Sequence, residues 1–299
     1  AVIGREFNFE TLAGVLAENR PLQPPPTNAN HDATANLDDA LADLLRLELI
    51  REKSRTAPTS TRAFTFKHVL TQETAYSTLL LSRRRELHGR VADFLEHTNP
   101  DRAEDMARHF MEARQGLRAL PHLISAGERA ARAYATQEAI GYFQQALDLP
   151  EFVKPPDLLR RAYEGLGDAL TFANDMPRAV ATYEALLVHA ESVNDIPAQV
   201  SALTKLASTY AIRMGQFERA MHYLNEGDRL ARAYHDKDGI SELNLVHCMM
   251  CTIAADFAGV VRYMDETVAL SEELGATDRM VTALAHMANS QMLTTDYEQ

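Results

Sequence analysis

The sequence predicts a mainly α-helical protein in two parts: a small N-terminal domain with a short β-hairpin, then an α-solenoid of repeats about 40 residues long. The solenoid is predicted because the strand signal ends near residue 83 and amphipathic helices of similar pattern recur from there to the C-terminus. The smaller domain is predicted because two short strand-like segments precede residue 68 and lie next to helical ones.

Composition limits the function classes that fit this chain. The 299 residues include 30 basic and 42 acidic ones, a net charge of −12. Such a surface repels phosphate backbones, so nucleic-acid binding by the whole chain is disfavoured. Two cysteines cannot form a disulfide framework and fit a reducing cytoplasm. No apolar run approaches the roughly 20 residues that span a bilayer, so we expect a cytoplasmic protein.

The two ends of the sequence suggest a piece of a longer protein. It opens with AVIGREF, without methionine, and stops at TTDYEQ, where a repeat should begin its second helix. We therefore expect that further domains of the parent protein carry part of its chemistry.

The N-terminal domain begins with a helix predicted over residues 7–19. The segment PLQPPPTNANHDATAN (21–36) is rich in proline and asparagine and predicts a loop. Asn36 is a suitable N-cap for a second helix, 37–47. Its apolar residues recur at helical spacing: Leu37, Leu41, Leu44 and Leu45.

Two short strands, 48–53 and 62–67, are predicted next, joined by the polar loop SRTAPTST. The helix that follows is predicted to start near His68 and to be closed by the arginine triplet 83–85. Helix, polar-tipped hairpin and helix in this order are typical of a winged-helix domain.

We place domain boundaries from these patterns. The winged-helix domain is predicted over residues 1–82, connecting helices over 83–118, and the repeat array over 119–299, truncated in its last repeat.

The repeats are visible as recurring positions. The second helices of successive units are TQEAIGYFQQAL (136–147), MPRAVATYEALL (176–187), QFERAMHYLNEG (216–227) and FAGVVRYMDETV (257–268). Their small residues recur at intervals of 40, 41 and 40: Ala139, Ala179, Ala220 and Val260. A large apolar residue follows four positions later: Phe143, Tyr183, Leu224 and Met264. In the first helices, small residues recur 40 apart, where two helices should cross closely: Gly127, Gly167 and Ala207.

This pattern resembles the tetratricopeptide repeat. The positions that agree are Tyr163, Leu166, Gly167, Leu170, Ala179 and Tyr183. The period departs from that family's, which is about 34 residues, and longer helices would account for the difference. The resemblance implies a curved right-handed solenoid with an open concave surface that binds peptides, proteins or small ligands.

The segment FKHVLTQETAYSTLLLSRRRELH (66–88) resembles a motif of bacterial STAND-class signalling ATPases. In that family a P-loop ATPase core precedes a winged-helix domain and a helical-repeat arm, and some members also carry an adenylyl cyclase or DNA-binding domain. The resemblance implies that His68 senses the β-phosphate of ADP in the intact protein. Val69 stands where relatives often have an acidic residue, so the analogy extends to His68 alone.

No G-x-x-x-x-G-K-[ST] sequence occurs in these 299 residues. ATP or ADP would therefore belong to the parent protein, and no cofactor is expected for this fragment.

Several side chains have both a functional and a structural interpretation. His68 is an ADP sensor or a packed histidine at a strand–helix junction. The basic patch is a phosphate-facing surface or a solvated face paired with Glu86: Lys67, Arg83, Arg84, Arg85 and Arg90. Cys248 and Cys251 lack further ligands of zinc spacing and fit buried thiols better than a metal site.

Residues of the predicted concave groove are binding candidates or solvated helix surface: Arg161, Glu164, Asp168, Thr171, Thr204 and Ser208. No catalytic set can be assembled from local spacing, so an enzyme is not predicted. The predicted function is a sensor arm whose repeats bind a protein or small-molecule signal and whose winged helix relays it to an ATPase core of the same polypeptide. A plain tetratricopeptide interaction scaffold and a DNA-binding winged helix are the rival hypotheses.

Overall fold

A computed structural model describes residues 1–17, 29–53, 62–150, 155–285 and 288. The predicted polar loop 54–61 and the predicted end of the last repeat lie outside these residues. The chain divides into two compact units, one formed by residues 1–126 with 148–155, the other by 127–147 with 156–299. The domain boundaries at 82/83 and 118/119 remain predictions.

The first unit contains a three-stranded antiparallel sheet of β1 (Glu6–Asn8), β2 (Ile50–Glu52) and β3 (Ala63–Phe66), in the order β1-β3-β2. The predicted hairpin is confirmed, with Ile50 opposite Phe66. Strand β1 replaces the start of the helix predicted from residue 7, so helix α1 is shorter, Phe9–Ala17.

Helix α2 (Ala29–Arg46) covers this sheet. Leu41, Ile50 and Phe64 form a buried apolar cluster, and Leu37, Leu44 and Leu45 pack against it as their spacing predicts. The loop predicted to continue to Asn36 is wrong from residue 29 onward. The helix begins eight residues, about two turns, earlier than predicted, so Asn36 lies inside it and is no N-cap.

Two helices, not one, follow the sheet. Helix α3 (Val69–Ser77) begins directly after His68, which occupies its N-cap position. Helix α3 ends at Ser77, and after the non-helical residues 78–80 helix α4 (Leu81–Thr98) begins. The prediction that the arginine triplet closes the His68 helix is therefore wrong, since Arg83–Arg85 lie in the first turns of α4.

Helices account for most of the described residues after position 81, which confirms the mainly α fold. They are α5 (Ala103–Glu112), α6 (Gly116–Arg132), α7 (Thr136–Asp148), α8 (Pro156–Phe172), α9 (Met176–Ser192), α10 (Ile196–Ser208), α11 (Phe217–Ala233), α12 (Lys237–Ile253), α13 (Phe257–Leu274) and α14 (277–285). None of the described helices is long and apolar enough to cross a membrane.

One type of turn recurs at the described connections between these helices. A residue with positive φ recurs about every 20 positions: Arg114, Tyr134, Asn174, Asn194, Gly215, His235, Ala255 and Gly275. The next residue donates its amide hydrogen back to the preceding helix, as Asp175 does to the Leu170 carbonyl at 2.9 Å. In most of these turns that residue then starts the following helix, and Asp175, Asp195, Asp236 and Asp256 cap it.

The repeat register predicted from the sequence is confirmed by burial. All four small positions and all four large positions of the second helices are buried, including Ala179 and Tyr183. A Cβ atom on Gly167 would lie 2.2 Å from the Tyr183 ring, and one on Gly127 would lie 2.8 Å from Phe143. The predicted close crossings therefore exist at both glycines.

The single interval of 41 residues has a structural counterpart. Helix α10 ends in a π-helical turn, Thr209–Arg213, in which Met214 donates its amide hydrogen to the Thr209 carbonyl at 3.2 Å. A π turn holds one more residue than an α turn. The extra residue between Ala207 and Ala220 is thus accommodated here without disturbing the register of either neighbouring helix.

Candidate functional site

The first helices of successive repeats share a charged surface, which we call the A-helix face. It runs over α8, α10, α12 and α14, and the end of α6 joins it. Charged pairs link one repeat to the next: Glu128–Arg161 at 2.7 Å, Asp168–Lys205 at 2.7 Å and Glu242–Arg279 at 3.0 Å. Because their partners lie 33 to 37 residues apart, these pairs fix neighbouring repeats against each other.

Asp168 is the centre of the largest cluster on this face. It accepts a hydrogen bond from the Tyr183 hydroxyl at 2.6 Å and two from Lys205 at 2.7 and 2.8 Å. Burial disfavours the charged ammonium, but Asp168 outweighs burial, so the pKa of Lys205 is raised. Burial and the Asp168 charge together raise the pKa of Tyr183, which keeps its hydroxyl a donor.

The predicted groove residues do not all reach this surface. Arg161 and Asp168 are in the charged pairs just described, and Glu164 accepts a hydrogen bond from Ser201 at 2.6 Å. Thr204 is buried and its hydroxyl donates to the Val200 carbonyl, so its placement in the groove is wrong.

The other two groove candidates are Thr171 and Ser208. Thr171 offers its backbone carbonyl to Arg213 at 3.0 Å, and Ser208 is half-buried on α10. Three partners were missed by sequence reasoning because each lies in a neighbouring repeat: Glu128, Ser201 and Lys205.

Beside this cluster lies a cavity of about 350 Å³ between α6, α7 and α8. Its apolar wall is formed by Ala131, Ala139, Phe143, Gly165 and Ala169. A Cβ atom at Gly165 would lie 2.3 Å from the Phe143 ring, so glycine is needed for the close approach of α8 to that ring. Charged groups stand at the edge: Glu128, Arg132 and Asp168.

Two exposed aromatic rings stand at the mouth of this cavity. Tyr134 is 77% exposed and Phe172 is 62% exposed, and their ring centroids are 6.0 Å apart. Tyr134 adopts φ 60°, a conformation that favours glycine or asparagine and disfavours bulky residues. Arg114, His235 and Ala255 adopt the same conformation in turns of the same type, so the positive φ follows from the turn, and what distinguishes Tyr134 is its exposed ring beside Phe172.

His68 is exposed at the N-terminus of α3, and its side chain makes no capping hydrogen bond. Helix α3 buries none of its residues, and the nearby Leu70 and Leu80 are 71% and 76% exposed. The ADP-sensing role remains a prediction from the family resemblance.

The basic residues near His68 are engaged mostly within the first unit. Lys67 pairs with Glu48, and Arg83 pairs with Glu86 at 2.7 Å. Arg90 also pairs with Glu86. Arg84 donates to the Ser77 carbonyl at 2.7 Å and stacks over the Tyr76 ring. Arg85 is exposed on α4.

The cysteines lie on α12. Cys248 is buried, Cys251 is partly buried, and burial raises the pKa of both thiols. Among the residues that the structure describes, no three histidine, cysteine or carboxylate side chains converge as metal ligands would.

No family model matches the chain, and no curated protein matches it. Similar solved structures include aspartyl phosphate phosphatase F from Bacillus subtilis, at 12% identity and a TM-score of 0.42, over 94% of this chain and 79% of that one. A Rap protein complexed with competence and sporulation factor has 14% identity and a TM-score of 0.42, over 76% of this chain and 68% of that one.

A third is a signal-transduction ATPase with numerous domains and a tetratricopeptide repeat sensor, from Pyrococcus horikoshii. It has 12% identity and a TM-score of 0.45, over 95% of this chain and 51% of that one. At such identities and TM-scores no function is transferred from these proteins to this chain.

Proposed function

We propose that the repeat unit is a non-catalytic interaction module that binds a protein or peptide segment at the cavity between α6, α7 and α8. The observation that carries this proposal is the pair of exposed aromatic rings, Tyr134 and Phe172, at the mouth of an apolar cavity. Apolar walls with a few charged groups at the edge are typical of sites that accept an apolar side chain and orient its polar backbone.

The charges around the cavity support a segment of protein over a free ion. Arg161 already pairs with Glu128, and Lys205 and Tyr183 already bind Asp168. These side chains are held in place by each other, so the cavity is largely organised before a ligand arrives. Little side-chain conformational entropy is then lost on binding, which favours affinity.

Selection of peptides from a displayed random library against the protein tests this function. Tyr134→Asn and Phe172→Ala should each weaken the selected peptides at least about tenfold, the loss of one aromatic anchor. Asparagine tolerates positive φ, so the first change should leave the fold intact.

Tyr234→Ala is the matched control, because Tyr234 is also exposed (58%) beside a positive-φ residue but lies outside the cavity. It should leave the affinity within about twofold. If no selected peptide depends on Tyr134 or Phe172, the proposed site is wrong.

A second candidate function is a relay to an ATPase core in a longer protein, and α3 favours it. A helix that buries none of its residues, with exposed Leu70 in its first turn and exposed Leu80 just after its end, is suited to packing against another domain. The test is the parent coding sequence. A P-loop upstream of Ala1 would support the relay, and His68→Ala should then release ADP faster from the full-length protein.

A further inference from the structure

A second cavity lies between α9 and α11, the second helices of two successive repeats. Its volume is about 510 Å³, and it is lined by Glu184, Tyr210, Glu218, Arg219, His222 and Tyr223. Tyr210 comes from the π-helical turn, the only place where the described repeats contain an additional residue. Such turns occur often at functional sites, because they project side chains that a regular helix would not.

The Tyr210 ring is packed against its neighbours, but its hydroxyl has no hydrogen-bond partner among the described residues. Its ring stacks on Tyr223, with centroids 5.6 Å apart and planes 9° apart, and the Arg219 guanidinium lies 5.5 Å from its centroid. The residue as a whole is only 5% exposed, and its hydroxyl, on the wall of the open cavity, makes no hydrogen bond to any described residue. Water in the open cavity can satisfy this hydroxyl, and a ligand with a suitable polar group would replace that water.

The cavity also holds carboxylates without partners. Neither Glu184 nor Glu218 forms an ion pair within the described ranges, whereas Glu128, Asp168 and Glu242 on the A-helix face all do. Burial is the main cause that raises the pKa of Tyr223; Tyr210 and the Glu184 charge add to it, and the Arg219 charge opposes it.

The opposing positive groups are Arg219 and His222. Arg219 is exposed, and its guanidinium lies 5.5 Å from the centroid of the Tyr210 ring. The cavity therefore offers a ligand two carboxylates, which only accept, and two tyrosine hydroxyls, which can accept or donate, with Arg219 as a donor.

We propose that this cavity binds a lysine or arginine side chain of a partner protein, with Glu184 and Glu218 accepting from its cationic head and the Tyr210 hydroxyl completing the site. Ammonium and guanidinium groups carry several donors and no acceptor, which matches this set. The site shares no residue with the cavity at Tyr134, so it is independent of the function proposed above.

The probe is a fluorescein-labelled pentapeptide with one arginine between glycines, measured by fluorescence anisotropy against lysine, glutamate and all-glycine counterparts. The arginine and lysine peptides should bind saturably and more tightly than about 1 mM. Glu184→Gln and Glu218→Gln should each weaken binding about tenfold, the loss of one charge-assisted hydrogen bond. Tyr210→Phe should weaken it about threefold.

Glu191→Gln is the control, because Glu191 is exposed on the same helix α9, outside the cavity, and the change removes the same charge. It should leave affinity unchanged, as should Tyr134→Asn. Equal weakening by Glu191→Gln would mean diffuse attraction to an acidic chain and would overturn the proposal. Preferential binding of the glutamate peptide, lost in Arg219→Ala, would make this an anion site, and absence of saturable binding would exclude a site altogether.

Discussion

Nδ1 of His88 on α4 lies 2.8 Å from Nδ1 of His109 on α5, and both rings are buried. Arg108 can only donate, and it lies 3.1 Å from Nε2 of His109, so that nitrogen accepts. The proton of His109 is therefore on Nδ1 and is donated to His88. Nε2 of His88 then carries the second proton and donates to the Tyr76 hydroxyl at 3.0 Å.

This directed chain requires two neutral histidines. Burial is the first cause that lowers the pKa of both, to about 3 for His109, and the Arg108 charge adds to it. The other charged groups that act on the pair are Glu112 for His88, and Asp105 and Arg102 for His109.

The first unit should therefore lose stability in mild acid. In the unfolded chain a histidine titrates near pH 6.5, so between pH 6.5 and about 3 the unfolded state binds more protons than the folded one. Stability is complete above pH 6.5 and falls as the pH falls. At pH 5 His109 alone should lower the free energy of unfolding by about 2 kcal/mol relative to pH 7.

Urea denaturation followed by circular dichroism at the two pH values measures this loss. In His109→Gln the difference between pH 7 and pH 5 should shrink by about the same 2 kcal/mol. His222→Gln, which changes an exposed histidine, should leave the difference as it is in the parent chain. An unchanged pH dependence in His109→Gln would contradict the assignment of neutral rings.

Glycine at position 167 should be required by packing. An added Cβ would lie 2.2 Å from the Tyr183 ring, and the hydrogen bond to Asp168 prevents that ring from moving away. Gly167→Ala gains about 1 kcal/mol of helix propensity but overpacks the crossing, so we expect a net loss of about 2 kcal/mol.

Gly141→Ala is the matched control on α7, since nothing lies within 4 Å of its added Cβ. It should raise the free energy of unfolding by up to about 1 kcal/mol. Chemical denaturation of the three proteins gives both values. Similar effects of the two substitutions would show that propensity, and not the Tyr183 contact, decides the outcome.

The sequence predicts what is periodic and misses what depends on distant partners. Ala179 and Tyr183 were identified as buried because they recur, and recurrence reflects the same contact made in each repeat. Lys205 and Ser201 could not be paired with Asp168 and Glu164, because spacing within one helix does not reveal the neighbour 37 residues away. The Tyr210 cavity had a visible signal, the single interval of 41, whose position lies next to that residue.

The N-terminal unit was less predictable for a different reason. Strand β1 has three residues, too few to show an alternating pattern, and its pairing with β3 depends on a segment 55 to 59 residues away in the register Glu6–Thr65, Phe7–Phe64 and Asn8–Ala63. The break between α3 and α4 lies in an apolar run with no glycine or proline, so no local stop signal marks it.

The π-helical turn should tolerate loss of one residue. Deleting Ile212, which is largely exposed, would convert the turn to α-helical geometry and restore the interval of 40. The protein should keep its helical circular dichroism and lose less than about 2 kcal/mol of stability.

Deleting Ala181, an exposed residue within α9, should cost more than about 4 kcal/mol, because it turns Tyr183 out of the core. Equal costs would mean that the turn holds no surplus residue.

The positive φ of Ala255 should destabilise the fold, and substitution by glycine should remove this destabilisation. Its φ is 56°, where an L residue other than asparagine or aspartate is disfavoured by about 1–2 kcal/mol. Ala255→Gly removes this strain, and the greater freedom of glycine in the unfolded chain offsets part of the gain. Since Ala255 is exposed, no packing is lost, and the free energy of unfolding should rise by about 1 kcal/mol. Asn174→Gly, in the equivalent turn two helix pairs earlier in the array, should change stability by only a few tenths, because asparagine already tolerates φ 62°. Thermal and urea unfolding of both variants measure the difference, and a destabilised Ala255→Gly would show that this turn is not strained.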